Sequence, residues 1–386
     1  MTASLDGLKV VDLSRVLAGP YCAQMLADHG AEVVKVEPPA GDETRAWGPP
    51  FLEGGSSAYY ANLNRNKKNA VLDLSCPRGR QVLGSLLGWA DVVVENFKAG
   101  TLAGWGLPDE EIERSFPELV HCRITGFGTE GPLGGMPGYD AVLQAFGGLM
   151  SVTGQAGGPA LRVGVPVVDQ VTGLLAFSGV LLALRERAES GRGQLVDCSL
   201  LDTVISLMHP HTAAWLADGT VGGRSGTAHT SIAPYESFET ADGPLFVGAA
   251  NDRQFRLLVE CLGIPELLDD DRFAANPDRV RNAAALRELI GARTCCHNRE
   301  ELARTLMERG VPAAPVHDIG QALTDPQVLH RDMVVERDGY RGTGVPVKLS
   351  RTPGQVREAP RAAGADTREV LATLGYSEED IAALTG

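Results

Sequence analysis

The residue in this chain best placed to do covalent chemistry is Asp169. It lies in Arg162-Val-Gly-Val-Pro-Val-Val-Asp169-Gln-Val-Thr-Gly173, directly before the apolar run Leu174 to Leu184. Gly164 and Pro166 shape the approach, so a lone carboxylate is delivered to the mouth of an apolar helix. A carboxylate there can attack an activated carbonyl, because an acyl group carried on aspartate stays activated while water is kept out. A second reading stands beside the first. Asp just before a helix is a favoured N-cap, its oxygen accepting a backbone N–H of the first turn. The local residues leave both readings open.

The elements that must position Asp169 are legible by period and punctuation. Leu8 to Leu13, Glu32 to Glu37, Ala70 to Leu74, Asp91 to Glu95 and Leu119 to Ile124 read as strands. Helices fall between them at Tyr21 to His29, with Pro20 at the first position, and at Pro77 to Trp89. Apolar strands alternating with helices predict an α/β fold with a parallel sheet covered on both faces, and ligands in such folds sit at the carboxyl ends of strands. The loops after Leu13, Leu74, Glu95 and Ile124 are therefore the places to look. From about His209 the texture changes. Residues 209–230 read as a linker, Ser237 to Gly248 as a hairpin turning on Asp242-Gly243, and Asp252 to Leu262, Ala283 to Cys295 and Arg299 to Arg309 as helices of a second domain. Pro312 to Pro315 leads the chain back, and Thr367 to Leu384 reads as two short helices.

The bulk properties bound the function. With 386 residues the chain exceeds one ordinary core. A formal charge of −14, from 35 basic and 49 acidic residues, argues against a nucleic-acid partner. No apolar stretch reaches the ~18–20 residues of a membrane span, Leu174 to Leu184 reads as a buried helix, and the first residues lack a signal-peptide layout. The expected location is the cytoplasm, without a membrane partner. Seven scattered cysteines, none in a CxxC, predict free and mostly buried thiols.

Several further motifs occur in order along the chain: Asp12-Leu-Ser-Arg-Val-Leu-Ala-Gly-Pro20, Gly41-Asp-Glu-Thr-Arg-Ala-Trp-Gly48, Leu63-Asn-Arg-Asn-Lys-Lys68, Glu95-Asn-Phe-Lys-Ala-Gly100, Gly126-Phe-Gly-Thr-Glu-Gly-Pro132, Gly138-Tyr-Asp140 and Gly191-Arg-Gly-Gln-Leu-Val-Asp-Cys-Ser199. With the Asp169 segment they resemble the class III (CaiB/BaiF) CoA-transferases, from about Leu5 to the C-terminus. The resemblance implies a Rossmann-like large domain of residues 1–208 that binds CoA, a linker at 209–230, a small α+β domain at 231–312, and a return linker with the C-terminal part of the large domain at 313–386. It also implies an interlocked, ring-like homodimer. It puts the family's nucleophilic aspartate on Asp169, and its CoA contacts on Val16, Leu17 and Ala18, on Leu72, Asp73, Leu74 and Ser75, on Asn96, Phe97 and Lys98, and on Tyr139 and Asp140. CoA thioesters enter as substrates, with no permanently bound cofactor and no metal.

The same resemblance sets a problem. CoA carries several phosphate charges, the chain is acidic, and where some members place Gln, Arg, Arg and Lys it has Leu17, Pro38, Gly104 and Pro137. Lys98 is the leading phosphate partner, with Arg65, Lys67 and Lys68 as further basic residues; a solvated turn is the other reading of that basic run.

Gly126-Phe-Gly-Thr-Glu-Gly131 matches G-x-G-x-x-G, but Pro132, Gly134, Gly135 and Pro137 forbid the helix a dinucleotide needs, so NAD is rejected. His209, His211 and His229 read as linker polar groups rather than metal ligands. Gly226 to Phe238 and Val247 to Phe255 resemble the succinyl-CoA:glutarate branch, which implies a small dicarboxylic acid as acceptor, with Arg45, Arg224 and His229 as candidate anchors for its far carboxylate. The alternative is an α-methylacyl-CoA racemase of the same family, which carries a His where this chain has Tyr139 and needs an acid/base pair flanking the α-carbon.

Overall fold

The computed structural model describes residues 3–385. The chain forms two compact units. The first takes in residues through Leu149, Arg162–Ala213 and the segment from Pro326; the second takes in Met150–Leu161 and Ala214–Asp325. The second unit thus borrows twelve residues, 150–161, that lie just ahead of the Asp169 segment. Residues 209–230 are not simple linker, since His211–Asp218 is helical.

The first unit is built on a parallel sheet of β1 (Lys9–Asp12), β2 (Glu32–Glu37), β3 (Lys67–Val71), β4 (Val92–Glu95), β5 (Val120–Thr125) and β6 (Leu195–Ser199), in the order β3-β2-β1-β4-β5-β6. The order reverses between β1 and β4, where Val10 pairs with Val92 and Asp12 with Val94. A doubly wound sheet opens its ligand crevice at such a reversal, because the loops leaving the two strands turn to opposite faces. The valine runs of β1, β2 and β4 are buried on both sides of the sheet. One face packs under α1 (Ala18–Asp28) and the other under α2 (Pro77–Trp89). C-terminal Val370, Leu371 and Ile381 join the latter core.

β3 begins three residues before the expected strand, inside the basic run. Lys67 and Arg65 are each 2% exposed, on Asp12 and Asp28 respectively. Lys68 pairs at the surface with Glu32 and Glu369. A charged run belongs to a buried strand only when it has partners, and those partners are remote in sequence. Arg65 and Lys67 are therefore neither a solvated turn nor free to meet a phosphate.

α3 (Asp140–Phe146) leads toward α4 (Val167–Ser190), and α5 (Leu200–Leu207) follows β6. With 24 residues, α4 is much longer than the apolar run expected and is long and apolar enough to cross a membrane on length and composition. Its buried stripe is Val168, Thr172, Gly173, Ala176, Val180 and Ala183, packed on α1 and the sheet. The expectation of a wholly buried helix fails: Leu174, Leu175 and Leu182 are exposed, Leu182 to 72%.

The second unit carries the antiparallel sheet β7 (Tyr235–Thr240), β8 (Gly243–Gly248) and β9 (Ala313–Pro315), with helices α6 (Asp252–Cys261), α7 (Ala283–Thr294) and α8 (Arg299–Glu308). The hairpin forms, but its turn is Ala241-Asp242, one residue earlier than expected, with Gly243 already paired to Thr240. The segment expected only to bring the chain back is instead the third strand. Every cysteine is free; Cys22 and Cys122 are buried, but Cys295 and Cys296 are exposed, against the expectation of mostly buried thiols.

Candidate active site

Asp169 is the third residue of α4, not its cap. The cap comes from a distance. Oδ2 of the buried Asp140 accepts the backbone N–H of Val168 at 2.8 Å and of Asp169 at 3.2 Å. Its Oδ1 accepts from Gln144 at 2.6 Å, and Gln144 in turn accepts the N–H of Val163 at 2.8 Å. The helix start is thus satisfied without Asp169, whose carboxylate accepts no hydrogen bond among the described residues. That removes the capping alternative. Burial first, and the Asp140 charge second, push the Asp169 carboxyl up to about 7.

Asp169 lines a cavity of about 280 Å³ with Val16, Leu17, Ala18, Asn96, Phe97, Lys98 and Tyr139. These come from the loop after β1 and the first residue of α1, from the loop after β4, from the segment before α3, and from α4 itself. A second cavity, about 340 Å³, holds Leu72, Asp73, Leu74 and Ser75 and shares Arg15, Phe97 and Lys98 with the first. The residues expected to meet CoA therefore fall into two adjoining chambers. Asp140 is 7% exposed and caps α4. Asn96 lies in the wall, but both polar atoms of its side chain are committed to the backbone of Arg15.

Leu17 and Pro137 line the first chamber and Pro38 the second, so at these places the walls are uncharged. The cations present where the chambers meet are Lys98 and Arg15, both exposed and without an ion pair among the described residues. Arg15 was not among the expected contacts; its position in the loop after β1, where the sheet order reverses, is the signal that could have found it. Burial, then the charges of Asp169 and Asp140, push the Tyr59 phenol up to about 12.

The candidate carboxylate anchors fare poorly. Arg45 grips Glu37 with two hydrogen bonds of 2.8 Å and donates to the Tyr60 hydroxyl at 2.7 Å. Burial would raise Glu37, but Arg45, Lys35 and Tyr60 hold its carboxyl down at about 2, so the pair is a fixed element of the core. In the second unit Arg224 donates to the carbonyls of Gly158 and Ser151 at 2.9 and 3.2 Å. His229 accepts the Ser231 N–H at 3.0 Å and packs on Tyr235.

The glycine-rich loop after β5 has a structural use. A Cβ on Gly126 would lie 2.8 Å from Gly138 Cα, so two backbones cross there, and turns rather than a helix follow.

Comparison with known proteins agrees with this architecture. The succinate–glutarate CoA-transferase of Agrobacterium fabrum is 40% identical over 96% of this chain and 95% of its own. Mouse succinyl-CoA:glutarate CoA-transferase is 37% identical over 97% of this chain and 87% of its own. The crystal structure of a CaiB/BaiF family protein from Brucella suis superposes with a TM-score of 0.89 at 39% identity, over 97% of this chain and all of that one. A family profile matches residues 5–367, and with it the chain is placed: it belongs to CoA-transferase family III and is a transferase.

Proposed function

We propose that the chain moves CoA from an acyl-CoA, succinyl-CoA in the first instance, to a small dicarboxylic acid, with Asp169 as the covalent carrier. An Asp169 oxygen attacks the thioester carbonyl and the C–S bond breaks, leaving an aspartyl–acyl mixed anhydride and CoA thiolate. The thiolate attacks the aspartyl carbonyl, releasing the donor carboxylate and forming an aspartyl-CoA thioester. The acceptor carboxylate then attacks that thioester and expels the thiolate, which attacks the acceptor's acyl carbonyl of the new anhydride and frees Asp169. No proton need move.

The observation that carries this reading is the Asp169 carboxylate, in the cavity wall without a hydrogen-bond partner among the described residues, while Asp140 does the work of capping. The apolar side chains around it suit intermediates that hydrolyse. Phe97, Leu72, Leu74 and Pro38 would receive the adenine, and Arg15 and Lys98, where the chambers meet, the phosphates. The choice of succinyl-CoA and a dicarboxylate follows the names of the relatives in Agrobacterium fabrum and mouse. Tyr139 stands in the cavity wall at the place where the family's racemases carry a His, which disfavours racemisation. The exposed leucines of α4 suit a homodimer interface.

The test is product analysis by mass spectrometry with succinyl-CoA and isotope-labelled glutarate. Labelled glutaryl-CoA formed by the wild type but not by Asp169→Asn is the expected result. An Asp169→Asn variant with undiminished transfer would sink the reading, and exchange of an α-proton with deuterated water without CoA transfer would favour the racemase.

A further inference from the structure

The loop that leaves β1 contains a valine, Val16, with φ at +70°. That region is open to glycine but costly for a β-branched side chain, so something must hold it. The neighbouring backbone is gripped from three sides. Asp12 accepts the Ser14 N–H at 3.0 Å, and the buried Lys35 donates to the Ser14 carbonyl at 2.8 Å. Asn96, one residue past β4, then takes both backbone groups of Arg15: Oδ1 accepts its N–H at 2.9 Å and Nδ2 donates to its carbonyl at 2.8 Å. The last main-chain rung between the strands is Leu13 N–H to the Val94 carbonyl, 2.8 Å. The Asn96 carboxamide therefore extends the β1–β4 pairing past the point where the main chains part.

We infer that Asn96 is a positioning residue: by clamping Arg15 through its backbone it holds Val16 in the left-handed conformation and so fixes the Val16–Ala18 wall of the cavity that contains Asp169. The inference refines the transfer reading, on which its kinetic arm rests; its exchange arm does not need that reading.

The measurements are peptide-resolved amide exchange over residues 13–18, CoA affinity by calorimetry, and kcat with succinyl-CoA and glutarate, on the wild type, Asn96→Ala and the double variant Val16→Gly/Asn96→Ala. Expected are at least tenfold faster exchange in Asn96→Ala, a kcat lowered more than tenfold, and recovery of a substantial part of kcat in the double variant, since glycine accepts the left-handed region at little cost. Unchanged exchange in Asn96→Ala overturns the clamp whatever the enzyme does. A tenfold loss of CoA affinity with kcat preserved, and no rescue by glycine, also overturns it and makes Asn96 a direct ligand contact. Should Asn96→Ala fail to fold, Asn96→Asp, which keeps the acceptor for the Arg15 N–H, must show the same direction of change to a smaller degree. If no wild-type transfer is seen but exchange responds, the clamp stands and the transfer reading falls.

Discussion

Asp140 and Asp169 are 29 residues apart in sequence, yet Oδ2 of the first accepts the backbone N–H of the second at 3.2 Å. One aspartate holds the start of α4 so that the other need not. Removing an N-cap carboxylate costs about 1 kcal/mol of stability. Asp140→Ala is therefore expected to lower the melting temperature and to impair turnover, because the α4 start that orients Asp169 loses its acceptor. Asp140→Asn keeps an acceptor and should lose less stability. Equal melting temperatures for wild type and Asp140→Ala would show that the cap has no energetic weight.

The same pair sets a pH dependence. Burial and the Asp140 charge raise Asp169 from 3.8 to about 7. The attacking form is the carboxylate, so kcat/KM for the acyl-CoA should climb as pH rises through about 7 and then level off. Asp140→Asn removes the second cause and leaves the first, so its midpoint should move to lower pH. A profile flat from pH 5.5 to 8 would contradict the assignment of Asp169 as nucleophile.

Stability should run the other way. Below 3.8 Asp169 is protonated in both the folded and unfolded chain and imposes no penalty. As pH rises from there to about 7, the unfolded chain gives up the proton and the folded chain holds it, so stability is lost across that window. Asp169→Asn has no such ionisation. Its melting temperature should match the wild type near pH 4, exceed it by a margin that widens up to about pH 7, and hold that margin above. A margin that narrows with rising pH would refute this account.

Much of this arrangement could be read in the sequence, and the parts that could not share a cause. The valine runs of β1, β2 and β4 announce themselves because both their faces are buried, and the reversal of strand order between β1 and β4 puts the crevice beside the loops that carry the motifs. β3 was misplaced because Lys67 finds Asp12 from 55 residues away. The cap of α4 stayed open in the sequence because Asp140 is non-local and Asp169 sits where a local cap would. Ala313–Pro315 looked like a connector because its pairing with β8 lies nearly 70 residues upstream. Local period and punctuation find elements; partners that meet only after folding decide which charges are structural.

Gly173 lies one helical turn beyond Asp169, and its lack of a side chain has a definite cause. A Cβ there would stand 2.7 Å from the Ala18 carbonyl oxygen and 3.1 Å from the Tyr21 ring. In an isolated helix, alanine would be favoured over glycine by about 1 kcal/mol. Here the added methyl must push α1 away from α4, at an overpacking cost of about 1–3 kcal/mol. Ala18 also lines the cavity with Asp169, so the displacement reaches the site. Gly173→Ala should melt at a lower temperature than the wild type and lose kcat. A higher melting temperature with full activity would mean that the two helices have room to spare.

Lys67 offers the sharpest test of the buried charges. It donates to Asp12 at 2.9 Å, to the Pro20 carbonyl at 2.8 Å and to Asn64 at 3.0 Å, tying β3 to the end of β1 and to the first turn of α1. Burial alone would raise the Asp12 carboxyl, but Lys67 and Lys35 hold it below the usual range. Replacing one partner of a buried pair leaves the other charge uncompensated, at a cost of about 3–5 kcal/mol. Lys67→Met keeps most of the volume and loses the charge, so it should unfold at markedly lower denaturant. The double variant Lys67→Met/Asp12→Leu removes both charges and should recover part of that loss, because the stranded carboxylate is the main cost. It should not recover activity to the same extent, since Asp12 also holds the Ser14 N–H in the loop that leads to Val16. A double variant no more stable than Lys67→Met would show that the lost hydrogen bonds to Pro20 and Asn64, and not the unpaired carboxylate, dominate the effect.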